Sequence, residues 1–128
     1  MFSHIPMHVY IAAPNELLED ARLVRTKLKH AGIVVTSRWL NGLESLSDRC
    51  ATMDLADVDA ADVLLLLNPL NWERSGTGGR HVELGYALAR QKKILIVGVR
   101  SNVFHYLTDV CVVPWGSDLA KECALCQL

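Results

Sequence analysis

A glutamate, Glu83, follows a glycine-rich segment at residues 75–80, which itself comes after the most apolar run of the chain, at residues 63–67. A strand, a flexible loop and a helix N-terminus form a common binding site for ligands that carry phosphate or sugar groups. A carboxylate at this place can bind a ligand, and it can also attack a glycosidic carbon in a retaining cleavage. Alternatively, a glutamate in the first helical turn only complements the helix dipole. The chemistry of the sequence alone leaves these two interpretations equal.

A second carboxylate, Asp54, lies on a helix predicted from about residue 48 to residue 60. It precedes Val58 by one turn, so it borders the face of the helix that packs inward. A paired acid near Glu83 can protonate a departing base or hold a sugar hydroxyl. Two further carboxylates of this helix are interpreted as a solvated face: Asp57 and Asp59.

The glycine-rich loop offers backbone N–H groups and hydroxyls. A phosphate group fits such a loop, but the spacing matches neither the G-x-G-x-x-G motif nor a P-loop, so the pattern alone is weak. A surface turn that tolerates glycine is the alternative. The candidate ligand-binding residues of this loop are Ser75, Thr77, Gly78, Gly79 and the positively charged Arg80.

Aromatic residues accompany these polar groups. Tyr10 lies within the first predicted strand, where it can reach the site or simply pack in the core. Trp39 lies in a loop predicted over residues 37–47, where an exposed ring can stack on a flat base or can equally cover the core. His81 precedes Glu83 by two residues, and on a helix its side chain points away from Glu83, which favours a structural role.

The bulk composition argues against several classes of partner. The 128 residues carry a formal net charge of −1 without a basic block, which argues against binding to a nucleic acid polymer. No apolar run approaches the roughly 20 residues that a membrane helix needs, and residues 1–6 lack the basic and apolar regions of a signal peptide. We therefore expect a cytoplasmic protein without a membrane partner.

The four cysteines include one C-x-x-C pair, Cys123 and Cys126. No second pair at zinc-ligand spacing accompanies it. We interpret the cysteines as small apolar packing residues. We expect neither a metal ion nor a cofactor in the chemistry.

Strands and helices alternate along the chain. This pattern is typical of a parallel sheet with helices on both faces, because the strands are continuous apolar runs. We predict a single flavodoxin-like (Rossmann-like) α/β domain over residues 1–128, with five strands in the order 2-1-3-4-5. The predicted strands are residues 7–13, 33–36, 62–68, 93–99 and 110–113.

Capping residues mark the helix boundaries. Asn15 is predicted to cap the first helix and Gly32 to end it. The third helix is predicted over residues 79–91, and Ser117 is predicted to cap the last helix.

The predicted strand order brings the candidate residues together. The chain reverses direction between strands one and three, and ligands bind at such a switch point, beyond the carboxyl ends of the strands. Strand one ends near Ala12 and leads to Pro14, whereas strand three leads into the glycine-rich loop. Both ends converge on one crevice with Glu83, so Ala12 and Pro14 are also candidate substrate-binding residues.

Three sequence blocks resemble the nucleoside 2-deoxyribosyltransferase-like superfamily, which includes the nucleoside 5′-monophosphate N-glycosidases. The blocks lie in the family's order and together cover about residues 7–100. The last block is fairly specific, whereas the first is weak alone. They are VYIAAP at residues 9–14, DLADVDAADV at residues 54–63 and GGRHVELGYA at residues 78–87.

The resemblance implies roles for three residues. In the family, the glutamate of the E-L-G-Y block attacks the anomeric carbon, forms a covalent sugar–enzyme intermediate and releases the base; it corresponds to Glu83. The family aspartate eight residues before the D-V strand entry corresponds to Asp54, which implies contact with the sugar or assistance to the leaving base. The tyrosine of strand one corresponds to Tyr10, which implies that it places the nucleophile.

The position six residues before the nucleophile separates the subfamilies. The deoxyribosyltransferases carry an aspartate that binds the sugar 5′-hydroxyl, and the monophosphate hydrolases carry a serine beside the phosphate. This chain has Thr77, a neutral hydroxyl that does not repel a phosphate, with Ser75 and Arg80 close in sequence. A 5′-monophosphate substrate is therefore favoured. The Arg80 and His81 pair differs from the small or apolar residues of both groups.

In family members a neighbouring subunit often completes the pocket with a residue from the segment after strand four. Here that segment contains Ser101 and Asn102, either of which can reach a partner's phosphate or sugar. An ordinary loop is the alternative. The resemblance thus implies a homodimer or higher homo-oligomer with a shared active site.

The leading hypothesis is cleavage of the N-glycosidic bond of a (deoxy)nucleoside 5′-monophosphate or nucleoside by double displacement through Glu83. Water as the acceptor makes the protein a hydrolase, and a second base makes it a 2-deoxyribosyltransferase; access of water to the intermediate decides between them. Two alternatives are a non-catalytic nucleotide-binding or sensing module and an NAD glycohydrolase. The short chain offers little room for the second nucleotide half of NAD.

Overall fold

The computed structural model describes residues 5–42 and 47–127, and part of the loop predicted over residues 37–47 lies outside this range, as do residues 1–4. The strands are β1 His8–Ala12, β2 Val34–Val35, β3 Val63–Asn68, β4 Lys93–Gly98 and β5 Val110–Val113. The α-helices are α1 Leu18–His30, α2 Asp48–Asp59, α3 Gly79–Ala89 and α4 Leu119–Cys126. Short 3-10 helices are Asn15–Leu17, Arg38–Asn41, Trp72–Arg74 and Val103–Tyr106.

The five strands form one parallel sheet in the order β2-β1-β3-β4-β5. This order, with helices packed around the sheet, confirms the predicted flavodoxin-like topology. Within the described ranges, none of the helices has the length and apolar character needed to cross a bilayer.

The strand at the centre of the sheet, β3, is buried over its whole length. It pairs with β1 on one side, where Tyr10 faces Leu64, and with β4 on the other, where Leu64 faces Ile94. A strand that is covered on both faces has no solvent side. This explains why its sequence is a continuous apolar run instead of an alternating one.

The first helix, α1, follows the predicted pattern. It buries Ala21, Val24 and Leu28, which share one face of the helix. The chain leaves the helix through Gly32, whose φ of +82° is a conformation that glycine adopts without strain. The predicted end of this helix is confirmed.

The predicted cap of α1 is wrong. Residues Asn15–Leu17 form a 3-10 turn in which the Leu17 N–H donates to the Pro14 carbonyl oxygen over 2.9 Å. The α-helix therefore begins only at Leu18, and no side chain caps it.

The predicted cap of α4 is also wrong. The Ser117 hydroxyl donates to the Pro114 carbonyl oxygen over 2.7 Å. The cap is Asp118, whose carboxylate accepts a hydrogen bond from the Lys121 N–H. At both helices, a bond to the carbonyl of a nearby proline competes with the predicted cap.

The ends of β3 and β4 approach so closely that only glycine fits at one position. Gly98 pairs with Asn68 and has a φ of +116°. A Cβ atom on Gly98 would lie 2.1 Å from the Asn68 carbonyl oxygen. Any side chain at this position would therefore displace the backbone of Asn68.

The loop after β4 is organised around a fully buried histidine, His105. The Ser101 N–H donates to its Nδ1 atom over 2.9 Å, so the neutral ring carries its proton on Nε2. Burial and then the nearby His81, Arg100 and Arg80 together lower the pKa of His105 to about 4. The folded protein therefore favours the neutral imidazole.

We expect this histidine to make the protein sensitive to acid. Its pKa of about 4 lies below the ordinary value of 6.5. Its stabilising contribution is therefore complete above pH 6.5 and is lost as the pH falls from 6.5 through about 4. Urea unfolding across this range should show a shallower pH dependence of the unfolding free energy for His105→Asn than for the wild type. The exposed-site variant His30→Asn should keep the wild-type slope; an unchanged slope in His105→Asn contradicts the prediction.

Candidate active site

A pocket opens at the switch point of the strand order, where the chain leaves β1 and β3. The N-terminal part of α3 and one side of α2 complete it, which is the location predicted from the sequence. The residues that line the pocket are Ala13, Pro14, Asn15, Trp39, Asp54, Gly76, Thr77, Gly78, Gly79, Arg80 and Glu83.

The candidate nucleophile, Glu83, is the fifth residue of α3 and lies beyond its first turn. The alternative interpretation, a first-turn glutamate that complements the helix dipole, is therefore wrong, because that effect falls off within the first turn. The carboxylate is held by another element of the fold. The Tyr10 hydroxyl donates a hydrogen bond to its Oε2 atom over 2.5 Å.

Tyr10 serves the core and the site together. Its ring is fully buried in β1, while its hydroxyl reaches Glu83, which is 73 residues away in the chain. A phenol that donates to a carboxylate makes a charge-assisted hydrogen bond and fixes the direction of the acceptor. This arrangement suits a carboxylate that must attack from one defined direction.

The helix α2 presents two buried carboxylates that are one turn apart. Asp54 lines the pocket and is 9% exposed. The Asp57 carboxylate accepts hydrogen bonds from Arg38, including one from the Nη2 atom of Arg38 over 2.8 Å and one from the backbone N–H of Arg38 over 3.0 Å. The interpretation of Asp57 as a solvated residue is wrong, because the ion pair offsets the cost of burying this carboxylate. Asp54 is thus the carboxylate that α2 contributes to the pocket.

Another carboxylate of α2, Asp59, joins this helix to α3. It accepts hydrogen bonds from the Tyr86 hydroxyl over 2.6 Å and from Arg90 Nε over 2.8 Å. Both hydrogen bonds lower the pKa of Asp59, and the bond from Tyr86 has the larger effect. Asp59 is half-buried instead of fully solvated, and Tyr86 contributes to helix packing.

Arg80 lies beneath the glycine-rich loop and is only 4% exposed. Its guanidinium donates to Asn68 Oδ1 over 3.3 Å, to the Ser75 carbonyl oxygen over 2.7 Å and to the Trp72 carbonyl oxygen over 3.3 Å. Burial lowers the pKa of this guanidinium. All three acceptors are neutral oxygens, so Arg80 supports the loop and adds positive charge to the pocket wall.

Glu16 holds the same loop from the opposite side. The Gly76 N–H donates to Glu16 Oε1 over 3.0 Å, and this bond is the main cause of the lowered pKa of Glu16. Gly76 has a φ of +70°, and a Cβ atom there would lie 3.0 Å from Pro14 Cβ. The loops that follow β1 and β3 are therefore in direct contact. Sequence reasoning missed Glu16, since an acidic residue after a strand is common.

Trp39 forms part of the pocket wall. It lies in the 3-10 helix Arg38–Asn41, is 6% exposed and donates from its indole Nε1 to the Ile11 carbonyl oxygen over 2.8 Å. The side chain covers the core and also lines the pocket. The interpretation of Trp39 as a cover of the core is therefore confirmed, whereas stacking of a base on this ring stays a prediction.

Four of the predicted ligand-binding residues do not line the pocket. The Ser75 hydroxyl donates to the Asn71 carbonyl oxygen over 3.1 Å, within the loop itself. Asn102 accepts a hydrogen bond from the Phe104 N–H over 3.0 Å and so begins the 3-10 helix after β4. The four residues are Ala12, Ser75, Ser101 and Asn102.

Asn68, at the end of β3, connects the pocket wall to the loop after β4. Its Nδ2 atom donates to the Val99 carbonyl oxygen over 2.8 Å and to Ser101 Oγ over 3.0 Å, while its Oδ1 atom accepts from Arg80. Sequence reasoning missed this residue. Its one available signal is that a polar side chain ends an otherwise apolar strand.

The ionisable groups that line the pocket are Glu83, Asp54 and Arg80. Two carboxylates and a positive charge can support substitution at a sugar carbon: one carboxylate attacks, the second handles a proton, and the charge attracts an anion. In the part of the chain that the structure describes, no group of three or more His, Cys, Asp or Glu side chains is arranged to hold a metal ion.

No protein-family model matches the sequence, and no curated protein is significantly similar to it. Solved structures do share its fold. The CMP N-glycosidase BcmB from Clostridium botulinum has a TM-score of 0.63 at 20% identity, over 92% of this chain and 97% of that chain. The 2-deoxyribosyltransferase from Leishmania mexicana has a TM-score of 0.60 at 20% identity, over 76% of this chain and 67% of the chain of that enzyme. The fold that the sequence resemblance implied is therefore confirmed.

Proposed function

We propose that the protein cleaves the N-glycosidic bond of a nucleoside 5′-monophosphate, with Glu83 as the nucleophile and the free base as the first product. The observation that carries this proposal is the 2.5 Å hydrogen bond from Tyr10 to Glu83, at a pocket that Asp54 also lines. Because a buried tyrosine orients the Glu83 carboxylate, the interpretation of Glu83 as a nucleophile is better supported than its interpretation as a residue that only stabilises a helix. The solved N-glycosidase and deoxyribosyltransferase with this fold add support.

The reaction proceeds by two displacements at the anomeric carbon. The Glu83 carboxylate attacks C1′ while the C1′–N bond breaks, which gives a sugar ester of Glu83 and the departing base. Asp54 gives the base its proton or, if Asp54 only holds a sugar hydroxyl, the base takes its proton from solvent. Water then attacks C1′ and Glu83 leaves as a carboxylate. The proton of this water passes to the Asp54 carboxylate in the first case and to solvent in the second. Two inversions retain the configuration of the sugar.

The 5′-phosphate lies at the glycine-rich loop in this proposal. Thr77 and Gly78 line the pocket beside the N-terminus of α3, where backbone N–H groups and the helix dipole attract anions. Arg80 adds a buried positive charge whose hydrogen bonds go to neutral oxygens. The neutral hydroxyl of Thr77 does not repel a phosphate.

Thr77→Asp tests the location of the phosphate. A new carboxylate beside a phosphate repels it, so kcat/KM for the monophosphate should fall about 10-fold or more, while kcat/KM for the free nucleoside changes little. Thr77→Asn, which has the shape of the aspartate without its charge, is the matched control. Equal losses for both substrates with Thr77→Asp would count against a phosphate at this loop.

Free-base release, measured by chromatography, tests the reaction itself. A panel of nucleosides, their 5′-monophosphates and NAD is incubated with and without an acceptor base. Release from monophosphates without an acceptor supports the proposed hydrolase. A new nucleoside formed only with an acceptor means the second candidate, a 2-deoxyribosyltransferase, which the fold shared with the Leishmania mexicana enzyme favours. Nucleotide binding without any release means a binding module, and nicotinamide release means an NAD glycohydrolase.

We also propose that the protein is a homodimer with a shared active site. The loop after β4 exposes apolar side chains at Val103, Phe104 and Tyr106. A groove runs between this loop and α3, and Phe104 and the exposed Val82 of α3 both line it. A surface patch of this kind is typical of a protein contact. Sedimentation equilibrium should give a dimer for the wild type and a monomer with reduced activity for Phe104→Glu. A wild-type monomer contradicts the proposal.

A further inference from the structure

Two of the cysteines lie against each other at the edge of the sheet. Cys111 is on β5, the last strand of the sheet, and Cys126 is the final residue of α4. Their sulfur atoms are 3.7 Å apart, and both are free thiols. The packing interpretation of the cysteines applies to Cys123, which is fully buried, but Cys111 is exposed to solvent.

We propose that Cys111 and Cys126 are a modification site that closes to a disulfide on reaction with a small-molecule disulfide of the glutathione type. The length of a disulfide bond is about 2.05 Å, so the two sulfurs must approach by less than about 2 Å. Among the strands of residues 5–42 and 47–127, β5 pairs only with β4, and Cys126 ends its helix. Both elements are therefore free to make a small displacement without the loss of a second strand pairing or a following helical turn.

The exposure of the two thiols sets the order of the steps. The exposed Cys111 reacts first: its thiolate attacks one sulfur of the disulfide, which forms a mixed disulfide and releases one small thiol. Cys126 then loses its proton and attacks the Cys111 sulfur, which releases the second small thiol. Protein dithiol and reagent disulfide thus become protein disulfide and two reagent thiols.

The second step should be the slower one. Cys126 is half-buried, with its sulfur 3.5 Å from the Ile94 carbonyl oxygen. Burial first, and the hydrogen bond with Cys111 second, raise the pKa of Cys126 to about 12. Little of this thiol is ionised near neutral pH, so closure waits for its deprotonation.

The bond should stabilise the fold without changing the chemistry of the pocket. It closes a loop of about 15 residues and joins α4 to the edge strand, which restricts the unfolded chain. We expect a rise in melting temperature on the order of 10 °C. Neither cysteine lines the proposed active site.

The full chain is reduced, incubated with oxidised glutathione, denatured and treated with iodoacetamide, and its mass and peptides are then analysed. Two of the four cysteines should escape alkylation, with the peptides of Cys111 and Cys126 linked and no glutathione retained. Cys126→Ser should keep one glutathione on Cys111, and Cys111→Ser should not close. Cys50→Ser is the control and should close as the wild type does.

Three results would overturn the proposal. They are glutathione that stays on Cys111 of the wild type, a link between Cys123 and Cys126 in its place, and no reaction at Cys111. The peptide map of the wild type decides among them even where a serine variant fails to fold. Because this measurement needs no substrate, its outcome is independent of the proposed glycosidase activity.

Discussion

Replacing Glu83 by glutamine is expected to reduce base release by at least about three orders of magnitude. The amide has nearly the shape of the carboxylate but is a poor nucleophile, so the sugar ester does not form. Its carbonyl oxygen can still accept the hydrogen bond from Tyr10, so the fold should be unchanged. Single-turnover base release measures the loss, and circular dichroism with thermal melting checks the fold.

The matched control is Glu73→Gln, because Glu73 is an exposed carboxylate in the loop between β3 and α3 that does not line the pocket. It should keep wild-type turnover. Mass spectrometry of the wild type with a slow substrate should find a sugar adduct on the peptide that contains Glu83, and Glu83→Gln should show none. A folded Glu83→Gln protein with wild-type turnover would remove this residue from the mechanism.

Asp54→Asn should lower kcat by about 10²- to 10⁴-fold, the usual effect of losing a general acid. The side chain lines the pocket together with Glu83, and an amide cannot pass a proton to the departing base. A series of substrates with different bases separates its two possible roles. If Asp54 protonates the base, the loss is greatest for the poorest leaving group; if it holds a sugar hydroxyl, the loss is the same for every base.

Asp57→Asn is the control for this prediction, since it makes the same change one turn along the same helix. Asp57 is bound to Arg38 outside the pocket. Its replacement should lower the free energy of unfolding, measured in urea, and should leave kcat nearly unchanged. Near-normal turnover of Asp54→Asn would show that the buried position of Asp54 has a structural cause.

Much of the fold could be predicted from local patterns. The apolar run of β3 and the inward face of α1 each arise from residues that are near one another in the chain. The alternation of strands and helices then favours one strand order, and the order places the crevice. The topology accounts for the convergence of β1, which carries Tyr10, and α3, which carries Glu83, on this crevice, but it does not account for the hydrogen bond between the two side chains.

The burial of two charged side chains, Arg80 and Asp57, could not be predicted, because their partners lie on other elements of the fold. A positive charge beside a glycine-rich loop suggests a phosphate ligand, but burial of Arg80 depends on the Asn68 side chain and on two loop carbonyls. Burial of Asp57 likewise depends on Arg38, which is 19 residues away. Periodicity cannot locate such contacts, because they exist only when separate elements have packed.

The hydrogen bond from Tyr10 to Glu83 also bears on how the chain selects its strand register. A slip of one residue between β1 and β3 would turn Tyr10 to the opposite face of the sheet. The neighbours that would take its place, Val9 and Ile11, are also apolar and buried, so loss of hydrophobic burial alone distinguishes the two registers weakly. The slipped register would be less stable, because the Tyr10 hydroxyl and the Glu83 carboxylate would lose their hydrogen bond. The hydrogen bond at the proposed nucleophile therefore also favours the native strand register when the sheet assembles.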